Sequence, residues 1–391
     1  MSKLAIQLQQ YLFILLGVFI PTSIAITNFI IVAISFCWLL EGNFKVKFEL
    51  IKNSKWIMSI FALIFLYALG MFWGDVHLDA HWQFQRLALL LVFPVLFTIQ
   101  LNQSTIRHGV SAFLITTFIS ACIAILINNN LLSPLSEYIV FINPDPYTSA
   151  FIKYNYHNVL LALSFGLCLY LIIEKKTEYK RVLVLFIIVY AVSIFTELGR
   201  AGQVLFNLIS LFYIIYYSSK QIFKSVIFFI LLLGFQFLVY QTTNAYKQRV
   251  QAVSHILQNN GEKPNKTKDI RYVFVEESLN KIFEKPFLGH GTGSFGATIT
   301  KQLQGYDYHH KTPHNQYLYV WFELGVFGLF LLGRIFYYQI LEMLTKKDRI
   351  HMVLLPLSFI FLMLIDSYLF IFLLTITYIY LYTVCSRYES E

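Results

Sequence analysis

Long apolar runs separated by short polar turns set the pattern of this chain. Twelve of them stand out, at about 8–20, 23–40, 56–73, 84–100, 108–128, 156–173, 181–197, 201–218, 222–240, 315–334, 350–366 and 367–385. Each predicts a membrane helix, because about 30 Å of hydrocarbon takes about 20 residues at about 1.5 Å each. The first run ends at Pro21, so the first two read as a hairpin with a tight outer turn. They do not read as a cleaved signal peptide, since a second apolar run follows at once and no Ala-x-Ala site precedes it. The pattern predicts an all-α polytopic membrane protein, residues 1–391 forming one membrane domain. One large loop, 241–314, falls between spans nine and ten.

Three polar segments interrupt this pattern on one side. GDVHLDAHWQFQR, Gly74 to Arg86, reads as an interfacial turn anchored by Trp82, with Arg86 opening the next apolar run. Asn129 to Asn158 holds NPDPY and KYNYHN and reads as an ordered loop on the bundle, with His157 a satisfied boundary residue rather than a catalyst. The third is the large loop. Tyr246, Val250, Val253, Ile256 and Leu257 recur at helical spacing and describe an amphipathic helix against the membrane. NNGEKPNKTKD then breaks the chain, and Asp269 can cap a second helix whose apolar stripe is Val275, Leu279, Ile282 and Phe283. Arg271 lies on that stripe.

Composition and charge support this reading. The 391 residues are 57% hydrophobic and only 13% charged, far from the roughly 25% charged residues of soluble domains. The net charge of +9 does not imply a nucleic-acid partner, because Lys and Arg gather in cytoplasmic loops for reasons of orientation alone. With both termini inside, seventeen basic residues, among them Lys45, Lys47, Lys52, Lys55, Arg107, Lys175, Lys176, Arg334 and Arg387, face the cytoplasm. Only Arg86, Lys153 and Arg200 lie in the short outer segments; the other ten of the 30 fall in the large loop, which is long enough to escape the rule. Cys37, Cys122, Cys168 and Cys385 stand singly, with no spacing for a disulfide framework or a thiolate metal site.

The candidate chemistry clusters at the outer boundary. A cation on the apolar stripe of a helix, as Arg271 is, needs an anion: either an acid of the protein or a ligand phosphate. Arg200, in ELGRAG at a helix junction, points toward a functional site, although Glu197 three residues earlier is an available partner. Guanidinium forks match phosphate oxygens two at a time, so a pair of arginines suits pyrophosphate. In PFLGHGTGSF, Gly289, Gly291 and Gly293 permit positive φ and close approach, which can turn amide N–H groups toward an anion. No buried strand or Lys-Ser/Thr ending accompanies them, so this is no nucleotide-binding loop, and His290 reads as structural. His314 opens the tenth run and can take a proton from a hydroxyl. On a regular helix Gly325 and Gly328 lie within about 40° of His314 and Glu323 lies opposite, which makes Glu323 a buried acceptor elsewhere in the bundle. Asp307, His309 and His310 with His314 fit no helix-borne metal pattern.

The order ELGRAG, an Arg-initiated helix ending in KPFLGHGTGSF, and PHNQYLYVWFELGVFG opening a late span resembles the O-antigen ligase/polymerase superfamily. The resemblance covers about 190–330. Twelve spans and one large outer loop are most similar to the lipid A-core:O-antigen ligase branch, although GRAG stands where many members have Ser-Arg-Gly. It implies a C-type membrane glycosyltransferase fold in the bacterial inner (cytoplasmic) membrane, with its active site on the periplasmic side. His314 becomes the catalytic base, and Arg271 and Arg200 bind pyrophosphate, with Arg86 as a further phosphate contact. Gly289, Gly291, Gly293 and Asn315 form the supporting loop. The implied reaction is inverting, needs no cofactor or metal, and moves a glycan from undecaprenyl pyrophosphate to a sugar hydroxyl of lipid A-core. An O-antigen polymerase would use the same residues on a second lipid-linked glycan, and a protein O-glycosylation ligase on a protein hydroxyl; the shorter chain argues against the latter. A polyprenyl-glycan transporter is the reading from another class. It would claim Asp366, but no duplicated broken-helix pattern accompanies it.

Overall fold

Every one of the twelve apolar runs folds as helix. The computed structural model describes residues 2–74, 77–137, 149–173, 178–218, 221–243, 246–247, 250–251, 254, 258, 270–300, 312–345 and 352–388. The chain begins with α1 (Ser2–Phe19), α2 (Ile24–Glu41), α3 (Phe44–Asn53) and α4 (Lys55–Gly70). Then come α5 (His77–Ala88), a 3-10 turn (Leu89–Leu91), α6 (Val92–Thr98) and α7 (Gln103–Asn128). The middle of the chain is α8 (Tyr154–Ile173), α9 (Lys180–Thr196), α10 (Arg200–Ser218) and α11 (Ile222–Thr242). It continues with α12 (Ile270–Glu284), α13 (Ser294–Thr300), α14 (Gln316–Leu344), α15 (Leu354–Ile365) and α16 (Phe372–Arg387).

By length and composition six of the described helices can each cross a membrane, or seven if α3 and α4 are taken as one bent span. Twelve is thus a count of helical segments, not of helices that each clear the bilayer alone. The exposed surface is that of a membrane protein: on α11 Phe223, Leu231 and Phe237 are 76%, 63% and 66% exposed, and such an apolar face needs lipid around it.

Two expectations change. Gly74 to Arg86 is not a turn throughout, because α5 takes it up from His77, so Asp79, His81, Trp82 and Phe84 lie on a helix rather than in an interfacial bend. The fourth run winds through a 3-10 turn before α6, where Pro94 lacks the N–H an α-helix would need, and Asp79–Thr98 remains one candidate span. The second half of the amphipathic series in the large loop (Val253, Ile256, Leu257) and the cap Asp269 lie outside the described residues, as do Asp307, His309 and His310.

The chain divides into two compact units. One comprises residues 1–9, 35–100 and 255–386. Its post is α16, apolar all round and buried from Leu373 to Ser386, as an interior helix must be. Tyr378 meets Phe93, Phe336 and Phe359, and Tyr382 meets Trp56, so α4, α6, α14 and α15 surround it. In this unit α3 turns 89° from α4. Lys47 ties α3 back to the end of α2: it pairs with Glu41 at 2.9 Å and donates to the Trp38 carbonyl, while Glu41 also accepts from Gln9 and Gln100. The other unit comprises 10–34, 101–254 and 387–391. Its post is α8, buried continuously from His157 to Leu171 and packed against α7, α9 and α10.

Candidate functional site

In the first unit α14 and α15 are pinned together at one end. Asn315 is the N-cap of α14: its Oδ1 accepts from the amides of Tyr317 and Leu318 at 3.0 and 3.1 Å, satisfying donors a helix start leaves open. Its Nδ2 donates to the Leu364 carbonyl, and Tyr317 Oη to that of Ile360. His314 precedes the cap with φ +54°, a left-handed conformation that costs a non-glycine residue on the order of 1–3 kcal/mol and clusters at functional sites. Asp366 follows α15, so the pinning brings the two together: His314 Nδ1 lies 3.1 Å from Asp366 Oδ1, which also accepts from the Ser367 amide at 2.7 Å. The side chains are 26% and 21% exposed. A carboxylate at Nδ1 fixes the tautomer with the basic lone pair on Nε2.

The expected regular helix from His314 is not found. Helix geometry starts at Gln316 and breaks at Gly325, where φ is +67° and ψ −163°. The break removes the partners of two carbonyls, and the glycine loop takes them: His290 N–H donates to Phe322 O at 2.8 Å and Gly291 N–H to Glu323 O at 2.9 Å. Val326 N–H in turn donates to Pro286 O. Thr292 N–H goes to Gly70 O, and Gly293 N–H to the buried Glu323 Oε1 at 2.9 Å. The loop amides that might have faced an anion are therefore bonded within the protein. Gly289, Gly291 and Gly293, all at positive φ, are needed for close approach, since a Cβ on each would overlap the backbone of Glu323, Gly74 and Ala80 respectively. His290 is buried, stacks on Phe322 and bonds the Lys281 carbonyl through Nε2.

Helix α12 reaches the same place by a face other than the expected one. Of the expected stripe Ile282 is buried and Leu279 half-buried, whereas Val275 and Phe283 are 40% and 69% exposed; Phe274 and Ser278 are buried in their place, because the loop supplies an apolar partner for Phe274. That ring stands 6.1 Å from the His314 ring and 6.3 Å from Phe295. Arg271 is exposed, one turn before Phe274. Arg86, half-buried on α5, donates from Nη1 to the Phe370 carbonyl at 3.1 Å, in the turn after Asp366, and lies over the Trp82 ring.

Arg200 belongs to the second unit, where it opens α10 exposed. Glu197 is not its partner. Glu197 Oε1 takes His157 Nδ1 at 2.7 Å and Ser193 Oγ at 3.0 Å, while His157 Nε2 meets Ser120 Oγ at 2.8 Å. Two exposures near zero show why: a carboxylate sealed in the unit binds the buried imidazole rather than a guanidinium at the surface.

Most of these groups lie between the end of α9 and the break in α14. Residues 185–333 match the O-antigen ligase family. The matched segment holds Arg200, Arg271, the glycine loop and His314, and leaves Arg86 and Asp366 outside it. With the apolar helices it supports a membrane enzyme of the O-antigen ligase/polymerase type. The comparison with curated proteins found no match.

Asp366, which in the sequence only the transporter reading claimed, is the residue that meets His314. The available signal was positional: His314 opens one span, Asp366 closes the next, and an antiparallel helix pair sets those two ends side by side.

Proposed function

We propose that this protein is a glycosyltransferase that moves a glycan from a polyprenyl pyrophosphate, undecaprenyl in bacteria, to a sugar hydroxyl of lipid A-core. The observation that carries the reading is the His314 ring, held through Nδ1 by Asp366 and a quarter exposed, at the start of a helix within the O-antigen ligase segment. Nε2 takes the proton of the acceptor hydroxyl, and the acceptor oxygen attacks the anomeric carbon from the face opposite the pyrophosphate. The bond from that carbon to the pyrophosphate oxygen breaks, its electron pair leaves with the pyrophosphate, and the configuration inverts. Asp366 orients the imidazole and stabilises the imidazolium that forms. Arg271, one turn from the residue that faces His314, stabilises the growing charge of the leaving group. Arg86, already committed in part to Phe370, has further donors for the same pyrophosphate. Holding both amphiphiles in register supplies the remainder by proximity.

The asymmetry of the basic residues supports a location of this chemistry on the periplasmic side of the inner membrane. Gels of surface lipopolysaccharide from a deletion strain, with analysis of the lipid-linked glycans, test the acceptor. Loss of long chains from lipid A-core with polymer accumulating on the carrier is the expected result. A single repeat on lipid A-core would make the enzyme a polymerase, and unchanged pools would remove the reading.

A further inference from the structure

Helix α14 is longer than a bilayer needs. Its 29 residues, two helical segments joined at the Gly325 break, reach up to about 43 Å at about 1.5 Å each, against about 30 Å of hydrocarbon. With the His314 end at the outer boundary, the other boundary falls near Arg334, and the last turns stand among the inner headgroups. Lys55 reaches the same level by another route. It opens α4 at the 89° corner with α3. If α4 crosses the membrane, α3 lies in its plane, with Phe44, Val46, Phe48 and Leu50 exposed for burial at the acyl boundary.

Both cations sit on one aromatic ring. Arg334 Cζ is 5.3 Å and Lys55 Nζ 5.4 Å from the centre of Tyr338. No carboxylate pairs with either among the described residues, and the Arg334 Nε is buried without an acceptor, a state that costs free energy until an anion arrives. Beside Arg334 runs an open groove of about 450 Å³ lined by Phe330, Gly333, Arg334, Tyr337 and Tyr338, the last being the ring that Lys55 also meets. Gly333 leaves it open, since a Cβ there would touch nothing within 4 Å. Phe330 and Tyr337 continue it as an exposed apolar wall.

We propose that this groove is a binding site for an anionic phospholipid of the inner leaflet, its phosphate bridged between Arg334 and Lys55 and its acyl chains along Phe330 and Tyr337. Two unpaired cations supply charge complementarity to a phosphodiester. The Tyr338 ring orients them, and the depth of the site matches the headgroup layer and not the aqueous phase. The site stands apart from the transfer chemistry and does not depend on it.

The test uses the purified full-length protein in nanodiscs of phosphatidylcholine, alone or with phosphatidylglycerol, with lipid retention read by native mass spectrometry. Phosphatidylglycerol is expected to be retained over phosphatidylcholine, and Arg334→Gln and Lys55→Gln each to weaken that retention roughly fivefold, the scale of one cation at a charged membrane surface. Lys45→Gln, on the exposed face of α3, is expected to leave it unchanged. If the cation variants fold poorly, Gly333→Phe fills the groove and keeps both charges, and is expected to displace the lipid. Equal retention of the two lipids, or full retention in both Arg334→Gln and Gly333→Phe, overturns the proposal. Thermal protection by inorganic phosphate alone, equal to that by phosphatidylglycerol, would assign the site to free phosphate and overturn the lipid assignment.

Discussion

Two histidines in this protein make the same bond and meet opposite fates. His157 and His314 each hold a carboxylate oxygen at Nδ1, at 2.7 and 3.1 Å. The first pair is 0% and 1% exposed, and Ser120 closes the other ring nitrogen; the second is 26% and 21% exposed. Sealed among α7, α8 and α9, an imidazole is a structural bridge, because no substrate hydroxyl can reach it. At the open end of α14 and α15 the same pair is partly open to the surface, as the proposed base requires. The carboxylate is common to both, so access separates the proposed base from the structural bridge. The Lys281–Glu284 pair, 23% and 54% exposed, lies at the far end of the series, where water screens almost everything.

Several substitutions sharpen or break this contrast. His314→Ala is expected to lower transfer in membranes about 10²–10⁴-fold at normal protein level, the scale of a general base; full transfer would end the assignment. His157→Ala should act on the fold instead. It leaves Glu197 buried without its imidazole, at about 3–5 kcal/mol, read as a lower melting temperature in detergent. Adding Glu197→Gln should recover part of that loss, since the uncompensated charge is gone. Asp366→Asn should keep the fold and lower kcat about ten- to a hundredfold with little change in KM, the scale for groups that orient a functional histidine. Lys281→Gln is expected to leave melting and transfer unchanged at neutral pH. The hydrogen bond from Lys281 holds the Glu284 carboxyl below the usual carboxylate range. Any small contribution is therefore present above that range and fades as the pH falls through it, which a melting series in acid would follow.

Hydrophobic periodicity carried the helices, because a lipid-facing segment must be apolar whatever it packs on. It could not carry the number of spans or the 3-10 turn before α6, since length in the bilayer depends on where a helix stops. His314 was legible for a local reason: a titratable ring beside a capping Asn315 at the mouth of an apolar run. Asp366 was not, because its meaning comes from a neighbour 52 residues away. The stripe of α12 failed in part for a related cause. Nothing in VFVEESLNKIF says which of Phe274 and Val275 will find a partner, and the glycine loop that decides it is folded onto another helix. Sequence proximity made Glu197 an available partner for Arg200, whereas burial favours His157.

The break at Gly325 also sets a measure. It lends the Phe322 and Glu323 carbonyls to the glycine loop, and so locks the register of the helix segment that begins beside His314. One residue inserted between His314 and Gly325 would turn that start by about 100° and move it about 1.5 Å along the axis, carrying the ring away from Asp366 while every bond at the break survived. The interval between histidine and glycine therefore works as a molecular ruler, intolerant of insertions and deletions even where each side chain along it can be exchanged.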